Sequence, residues 1–275
     1  TSEKQIVVVS ALGGITNLLV EMALTASRGE ANFKKHIQTV EERHLEIILS
    51  TIPVTQQSGS ISFLKSQINE LEGVLESLHT LKELTPKSLA KISSYGEVLS
   101  STIIHELFKN HEIDVTLKDA KALIFTHKVN DREIVDHNKS AKNTQDFIAS
   151  LSTEVTLVPG FIASDENGDI TTLGRGGSDY SAALLANYSD ASVLEIWTDV
   201  SGMFTAHPKL VFQAQPIPKL SYHEAMELSH FGAKVIYPPT LQPIIEKEIP
   251  ILIKNTFDKE AEGTMIDAIG TLEGG

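Results

Sequence analysis

Strand-like apolar segments alternate with helix-like amphipathic segments along most of this chain. The first of them, residues 5–10 (QIVVVS), is a continuous β-branched run, which is typical of a strand buried on both faces in a parallel sheet. A turn at residues 11–14 and a helix from about residue 16 to 27 follow it. Because parallel strands need long crossovers, the alternation predicts an α/β fold whose mainly parallel sheet is covered by helices on both faces.

The remaining segments extend the same pattern. Thr85 and Pro86 indicate a helix start, since Thr is a good N-cap and Pro fits the first helical position. Residues 166–169 (ENGD) predict a hairpin turn. Further helices are expected at residues 32–50, 60–81, 136–150, 178–188, 221–231 and 240–247, and strands at 113–117, 155–163, 192–198 and 249–254, with a shorter candidate at 123–126. In residues 60–81 the apolar side chains fall at three- and four-residue steps, which is typical of an amphipathic helix.

Composition excludes several classes of protein. The 275 residues contain no Cys, which rules out a disulfide framework, Cys-ligated zinc, iron–sulfur clusters and a Cys nucleophile. The formal net charge of −13 argues against a general nucleic-acid surface, although a few local cations can still hold a small anion. No apolar run approaches the roughly 20 residues of a membrane span and the polar start is not a signal peptide, so we expect a cytoplasmic protein without nucleic-acid or membrane partners.

The densest chemical signal is residues 173–181 (LGRGGSDYS), where glycines lead into a helix whose expected N-cap is Ser178. Gly176 and Gly177 let backbone N–H groups approach an anion, and the helix N-terminus adds partial positive charge. Arg175 offers a planar fork for a carboxylate or phosphate, and Asp179 can accept from a ligand ammonium. The alternative is a glycine-rich turn with a surface Arg and a dipole-stabilising Asp. The GxxxxGK[ST] motif of P-loop enzymes, the GxGxxG motif of dinucleotide oxidoreductases and the HRD and DFG motifs of protein kinases are missing.

A second glycine-rich turn, residues 10–17 (SALGGITN), follows the first strand at its carboxyl end, where α/β proteins usually bind ligands. Ser10 and Thr16 offer hydroxyl groups, and Gly13 and Gly14 offer backbone N–H groups. The alternative is a tight strand-to-helix turn capped by Thr16.

A third motif, residues 94–101 (SYGEVLSS), places Glu97 in an otherwise apolar helix. A carboxylate on such a face needs a partner, and a bound ammonium or a Lys would serve. The alternative is an exposed Glu at the edge of the helix.

Two further motifs follow in the second half of the chain. In residues 197–209 (WTDVSGMFTAHPK), a strand ends in Thr198 and Asp199. Phe204 could stack on a base or fill the core, and the single Trp197 could be a core residue. No second ligand stands at metal spacing from the His of this segment, so no protein metal site is predicted. In residues 230–239 (HFGAKVIYPP), Lys234 could send an ammonium into a cleft or could be a solvated Lys.

The order and spacing of these five motifs together resemble the amino-acid kinase family and, within it, the aspartate kinases, most of all the kinase part of fused aspartokinase–homoserine dehydrogenases. The resemblance covers nearly the whole chain. It implies a three-layer αβα sandwich with a mainly parallel sheet, forming a single kinase domain over residues 1–275. An amino-acid-binding lobe of about residues 1–172 and a nucleotide-binding lobe of about 173–275 are expected, with regulatory ACT and dehydrogenase domains absent from these residues.

The resemblance implies ATP-dependent phosphorylation of the L-aspartate side-chain carboxylate, with Mg²⁺, as the first step of lysine, threonine and methionine biosynthesis, and a homodimer. A related kinase acting on another carboxylate, or a catalytically silent nucleotide-binding module, is the alternative. The resemblance also implies roles for individual residues. The residues implied in catalysis are Ser10, Thr16 and Asp179. Those implied in substrate binding are Thr16, Glu97, Arg175, Gly176, Gly177, Ser178 and Asp179. Those implied in nucleotide binding are Ser10, Gly13, Gly14, Thr198, Asp199, Phe204, Lys209 and Lys234. The family usually reads Asp-Pro-Arg where this chain has His207, Pro208 and Lys209.

Overall fold

The computed structural model describes residues 4–130, 132–206, 210–230 and 236–270. Helices α1 to α8 are Ile15–Ser27, Phe33–Thr51, Gln57–Leu81, Pro86–Asn110, His137–Ser150, Gly177–Tyr188, Tyr222–His230 and Gln242–Ile245. Strands β1 to β13 are Gln5–Val9, Val115–Leu117, Thr126–Val129, Arg132–Val135, Val155–Pro159, Ile162–Ser164, Ile170–Thr172, Leu194–Thr198, Met203–Phe204, Pro216–Ile217, Lys219–Ser221, Ile251–Asn255 and Thr264–Asp267. Four consecutive helices, α1 to α4, follow β1, and strands and helices then alternate as predicted from β2 onward, which places the protein in the α/β class.

A parallel sheet in the order β1-β5-β2 forms the first half of the fold. Its central strand β5 pairs with β1 from Gln5 opposite Val155 to Val9 opposite Pro159. The strand predicted at the start of the chain is therefore confirmed, and the turn that follows it lies at the carboxyl end of a parallel pair. The prediction that this strand is buried on both faces is wrong, because only Val9 is buried and the residues before it are half-buried or exposed.

Helices α1 to α4 pack together into one apolar core beside this sheet. The predicted three- and four-residue spacing of apolar side chains in α3 is confirmed, because its buried positions include Leu64, Leu71 and Leu78. Thr85 caps α4 as expected, accepting a 3.1 Å hydrogen bond from the Ser88 N–H. Among the helices of the described residues, none has the length and apolar character needed to cross a membrane.

A second sheet, in the order β11-β13-β12-β8, contains both parallel and antiparallel pairs. Helix α6 contacts β1 of the first sheet and β8 of the second. Its Leu184 and Leu185 join an apolar cluster with Val158 from β5, whereas Ala183 packs in a cluster with Ile251 from β12. Because α6 contributes side chains to both clusters, its N-terminus is held between the two halves of the fold.

Several predicted elements differ from those observed. The single strand predicted at residues 155–163 is wrong, because Phe161 has φ of 66° and breaks the run into β5 and β6. The candidate strand at 123–126 begins only at Thr126 and pairs with β4 in an unpredicted hairpin. The helix predicted at 240–247 is shortened to α8 after a 3₁₀ turn at Pro238–Thr240. The ENGD hairpin is confirmed, with Gly168 in a left-handed conformation between β6 and β7.

One helix contact brings α4 directly against the turn that follows β1. A Cβ added at Gly96 would lie 2.7 Å from the Cβ of Ala11 and 3.4 Å from side-chain atoms of Ile15 and Leu19. A 2.7 Å separation is impossible between real methyl groups, so only glycine permits this approach. The contact fixes the distance between the β1–α1 turn and the next residue of α4, Glu97.

We expect Gly96→Ala to destabilise the protein by about 1–3 kcal/mol, because the new methyl group must push α4 away from Ala11. The matched control is Gly73→Ala on α3, where nothing lies within 4 Å of the added Cβ. There the gain in helix propensity should stabilise by about 0.5–1 kcal/mol. Urea denaturation measures both, and equal effects at the two glycines would contradict the packing described.

Candidate active site

The turn between β1 and α1 presents backbone donors to solvent. Gly14 is the N-cap of α1 with φ of 80° and no side-chain cap, so the alternative of a turn capped by Thr16 is wrong. Ser10, Gly13 and Gly14 are exposed, and Thr16 is half-buried in the first turn of the helix. Since helix N-terminal N–H groups lack intrahelical partners, this end of α1 can receive an anion.

Glu97 is buried beside this turn, with a relative exposure of only 3%. Its Oε2 atom has no hydrogen-bond partner among the described residues. Burial raises the pKa of the Glu97 carboxyl to about 7, and the backbone N–H groups of Glu97 and Ala11 oppose that shift. The alternative of an exposed Glu at the helix edge is therefore wrong, and the carboxylate has capacity for a further donor.

The N-terminus of α6 carries the GRGGSD motif. Gly174 and Gly176 have φ of 75° and 66°, so the chain turns through left-handed glycines and the helix begins at Gly177. The predicted N-cap at Ser178 is wrong for this reason: Gly176 takes the cap position without a side-chain hydrogen bond, and Ser178 lies in the first helical turn. Gly177 packs against Phe161, where a Cβ would lie 2.6 Å from a ring carbon.

The charged side chains of this motif are available to a ligand. Burial raises the pKa of the Asp179 carboxyl above its usual range. No hydrogen bond or ion pair joins Asp179 to another described residue. Arg175 is exposed, and its guanidinium likewise has no hydrogen-bonded or ionic partner within the described ranges.

Gly160 joins the α6 motif to the β1 turn. Its N–H donates a 2.9 Å hydrogen bond to the carbonyl oxygen of Val9, so it lies beside Ser10. A Cβ on Gly160 would lie 2.7 Å from the Cβ and 2.8 Å from the Cα of Ser178. On the other side, Ser100 donates a 2.7 Å hydrogen bond from Oγ to the carbonyl oxygen of Ser10. The fold thus brings together three of the predicted motifs, those of Ser10, Glu97 and Ser178.

The fourth motif lies at the end of β8. Thr198 pairs with Asn255 in β12, and its carbonyl oxygen accepts a 2.8 Å hydrogen bond from the Thr256 N–H. Asp199 is exposed and accepts a 3.3 Å hydrogen bond from the Thr198 hydroxyl, while Phe204 is half-buried in β9. In the described ranges, neither a hydrogen bond nor an ion pair links these side chains to Glu97 or Asp179.

The remaining candidates are the two lysines expected at the nucleotide pocket and Trp197, which could be a core residue. Lys209 and Lys234 lie outside the described residues. Trp197 is not a core residue, because 47% of its surface is exposed. The Lys254 ammonium lies 5.2 Å from the Trp197 ring centroid, at cation–π distance.

Sequence reasoning missed Arg43, Ser100 and Gly160. Arg43 donates a 2.8 Å hydrogen bond from Nη1 to the carbonyl oxygen of Gly13. A signal existed for Ser100, which stands in the same motif as Glu97 and almost one helical turn after it. Arg43 is 30 residues from its partner, and no local pattern in the sequence indicates such a contact.

Within the described ranges, no group of three or more His, Asp or Glu side chains is placed to hold a metal ion.

Comparison with known proteins identifies the family. The profile of the Amino acid kinase family matches residues 1–255, so the chain belongs to that family. It is 36% identical over 264 residues to a bifunctional aspartokinase/homoserine dehydrogenase of Buchnera aphidicola, covering 94% of this chain and 32% of that protein. It is 33% identical over 269 residues to an aspartokinase of Chlamydia pneumoniae, covering 96% of this chain and 56% of that protein. The chain thus spans about a third of the length of the first relative and somewhat over half of the length of the second.

Solved structures agree with this assignment. E. coli aspartokinase III in complex with aspartate and ADP superposes with a TM-score of 0.87 at 30% identity, covering 96% of this chain and 58% of that one. The same enzyme in complex with lysine and aspartate gives a TM-score of 0.85 at 29% identity, covering 97% and 58%. The predicted α/β amino-acid kinase fold is confirmed.

The raised pKa of Glu97 leads us to predict how the folding stability of the protein depends on pH. Because its folded pKa of about 7 exceeds its unfolded value near 4.5, the wild-type protein loses stability as pH rises through this window. Glu97→Gln removes that loss, so its stability relative to wild type should rise between pH 4.5 and 7 by up to about 3 kcal/mol and then level off. Urea denaturation across this range measures it. The exposed Glu21 supplies the control, and an equal pH trend in Glu21→Gln would contradict the assignment.

Proposed function

We propose that this chain catalyses phosphoryl transfer from ATP to the side-chain carboxylate of L-aspartate, giving 4-phospho-L-aspartate and ADP. The observation that carries the proposal is the buried, partly unpaired Glu97 carboxylate beside the exposed glycine turn after β1 and the N-terminus of α6. The names of its relatives, which are aspartokinases, support the same substrate and nucleotide.

The amino-acid end of the substrate needs one anionic and one cationic partner. Glu97 would accept from the α-ammonium, which supplies the donor that Oε2 lacks. The Arg175 fork would bind the α-carboxylate bidentately. Asp179 would help to organise this end of the site. The N–H groups of Gly176 and Ser178 add donors, whereas that of Gly177 already bonds to the Gly174 carbonyl oxygen. These groups suit a small zwitterion with a further carboxylate.

The reacting end needs alignment and charge neutralisation more than covalent chemistry. A side-chain carboxylate is ionised at pH 7, so no general base is required. Two anions must meet, and the exposed turn of Ser10, Gly13, Gly14 and Thr16 would supply hydroxyl and backbone donors between them. Mg²⁺, held largely by the nucleotide phosphates and water, would neutralise further charge there.

The nucleotide would bind beside the end of β8, with Thr198, Asp199, Phe204, Lys209 and Lys234 contributing to the pocket. This arrangement divides the chain into an amino-acid-binding lobe of about residues 1–172 and a nucleotide-binding lobe of about 173–275. Helix α6, which contacts both β1 and β8, would be the element that sets the distance between the two substrates.

Further parts of the proposal rest on resemblance to the family. They are a homodimer and a place at the start of lysine, threonine and methionine biosynthesis. The cytoplasmic location expected from the sequence itself is also part of the proposal.

ATP-dependent formation of a hydroxylamine-trappable acyl phosphate from L-aspartate tests the function directly. We expect hydroxamate with L-aspartate and Mg²⁺–ATP, and much less with L-glutamate or N-acetylglutamate. Product with one of the latter alone would overturn the substrate and favour a related amino-acid kinase. Calorimetric ATP binding without product from any carboxylate would favour a silent nucleotide-binding module.

Arg175→Ala tests the orientation of the substrate. Loss of a charge-assisted bidentate contact should raise the KM for aspartate at least tenfold, while the KM for ATP stays within about threefold. Arg132→Ala is the matched control, because Arg132 is exposed on the β3–β4 hairpin. A larger effect on the KM for ATP than for aspartate would refute the assignment of Arg175.

A further inference from the structure

Arg43 lies where helix α2 approaches the β1–α1 turn. Val40, His44 and Ile48 of α2 are fully buried, and Arg43 borders this stripe on the exposed surface. From there its Nη1 donates a 2.8 Å hydrogen bond to the carbonyl oxygen of Gly13. The burial of the neighbouring side chains fixes α2, so the guanidinium is held over the turn rather than free in solvent.

The hydrogen bond from Arg43 to Gly13 acts on a turn that has no side-chain cap of its own. Gly14 caps α1 without a side-chain hydrogen bond, and the first turn of the helix contains no acidic residue. Among the described residues, no acceptor takes the backbone N–H of Thr16 or of Asn17. Two consecutive glycines are also the least rigid backbone available for such a turn. The hydrogen bond from Arg43 therefore supplies an orientation for the Gly13 peptide that the turn does not impose on itself.

The guanidinium has capacity beyond this one bond. Arginine carries five N–H donors, and in the described part of the chain no ion pair joins Arg43 to the acidic Glu42 or Glu46 of its own helix. A Cβ on Gly14 would lie 4.0 Å from Nη1, whereas nothing lies within 4 Å of a Cβ on Gly13. A cation thus stands at the edge of an open space lined by backbone donors.

We propose that Arg43 is a positioning residue for phosphoryl transfer: its hydrogen bond to Gly13 orients the Gly13–Gly14 turn toward the transferred phosphoryl group, and its charge favours the anion there. This inference rests on the proposed function, which places that group at the turn. An exposed hydrogen bond to a carbonyl oxygen contributes little to folding stability. The main effect of removing Arg43 should therefore be on the rate of transfer.

Steady-state kinetics of Arg43→Ala, Arg43→Lys and Arg28→Ala test the proposal. Arg28 is the matched control, because it is exposed at the opposite end of α1. We expect Arg43→Ala to lower kcat roughly tenfold or more, with the KM for aspartate within about threefold of wild type. Arg43→Lys keeps a donor and the charge and should recover part of the loss. Added guanidinium at millimolar concentration should raise the kcat of Arg43→Ala and leave Arg28→Ala unchanged.

Hydrogen exchange gives a readout that does not depend on activity. The amide hydrogens of Ile15 and Leu18, bonded to the Leu12 and Gly14 carbonyl oxygens, should exchange faster in Arg43→Ala and not in Arg28→Ala. Unchanged exchange, a kcat within twofold of wild type, or a loss of kcat that neither Lys nor guanidinium relieves would overturn the role of Arg43. A wild-type protein that phosphorylates no carboxylate would instead overturn the proposed function, and the exchange data would still decide whether Arg43 holds the turn.

Discussion

Two backbone contacts that leave no room for a side chain hold the candidate site together. Gly160 meets Ser178 where β5 ends and α6 begins, and Gly96 meets Ala11 where α4 crosses the turn after β1. Each contact joins segments that are far apart in sequence, and each excludes even a methyl group. The relative positions of Glu97, the β1 turn and the α6 N-terminus follow from these two approaches rather than from long, adjustable side chains.

This rigidity explains how a carboxylate can stay buried at Glu97. Desolvation raises its pKa, and Oε2 lacks a donor, so the free protein bears an energetic cost at this position. A flexible site would relax and hydrate the group, whereas closely packed glycine contacts prevent such relaxation. The cost is recovered only when a donor such as an ammonium enters, so the unsatisfied group favours ligand binding at the expense of stability.

The sequence predicted the parts of the fold that depend on local pattern. Alternation of strands and helices, the cap at Thr85 and the apolar stripe of α3 are local, and the structure confirms them. Features that depend on tertiary contacts were predicted wrongly or missed. Phe161 adopts a left-handed conformation inside an apolar run that looks like one strand, and its N–H bonds to the Ser181 hydroxyl 20 residues away. Ser178 loses the cap position to Gly176 because two left-handed glycines turn the chain two residues earlier.

The distribution of arginine reconciles an acidic chain with anionic ligands. The net charge is −13 and the only arginines are Arg28, Arg43, Arg132 and Arg175, yet two of these four lie at the two glycine turns of the candidate site. Charges farther than about 10 Å away are largely screened at physiological salt, so the acidic surface has little influence there. At each turn, a guanidinium and backbone N–H groups determine the local potential. Arg175 faces solvent within its own motif, whereas Arg43 reaches its turn from a separate helix, so only the fold reveals that the two turns are built alike.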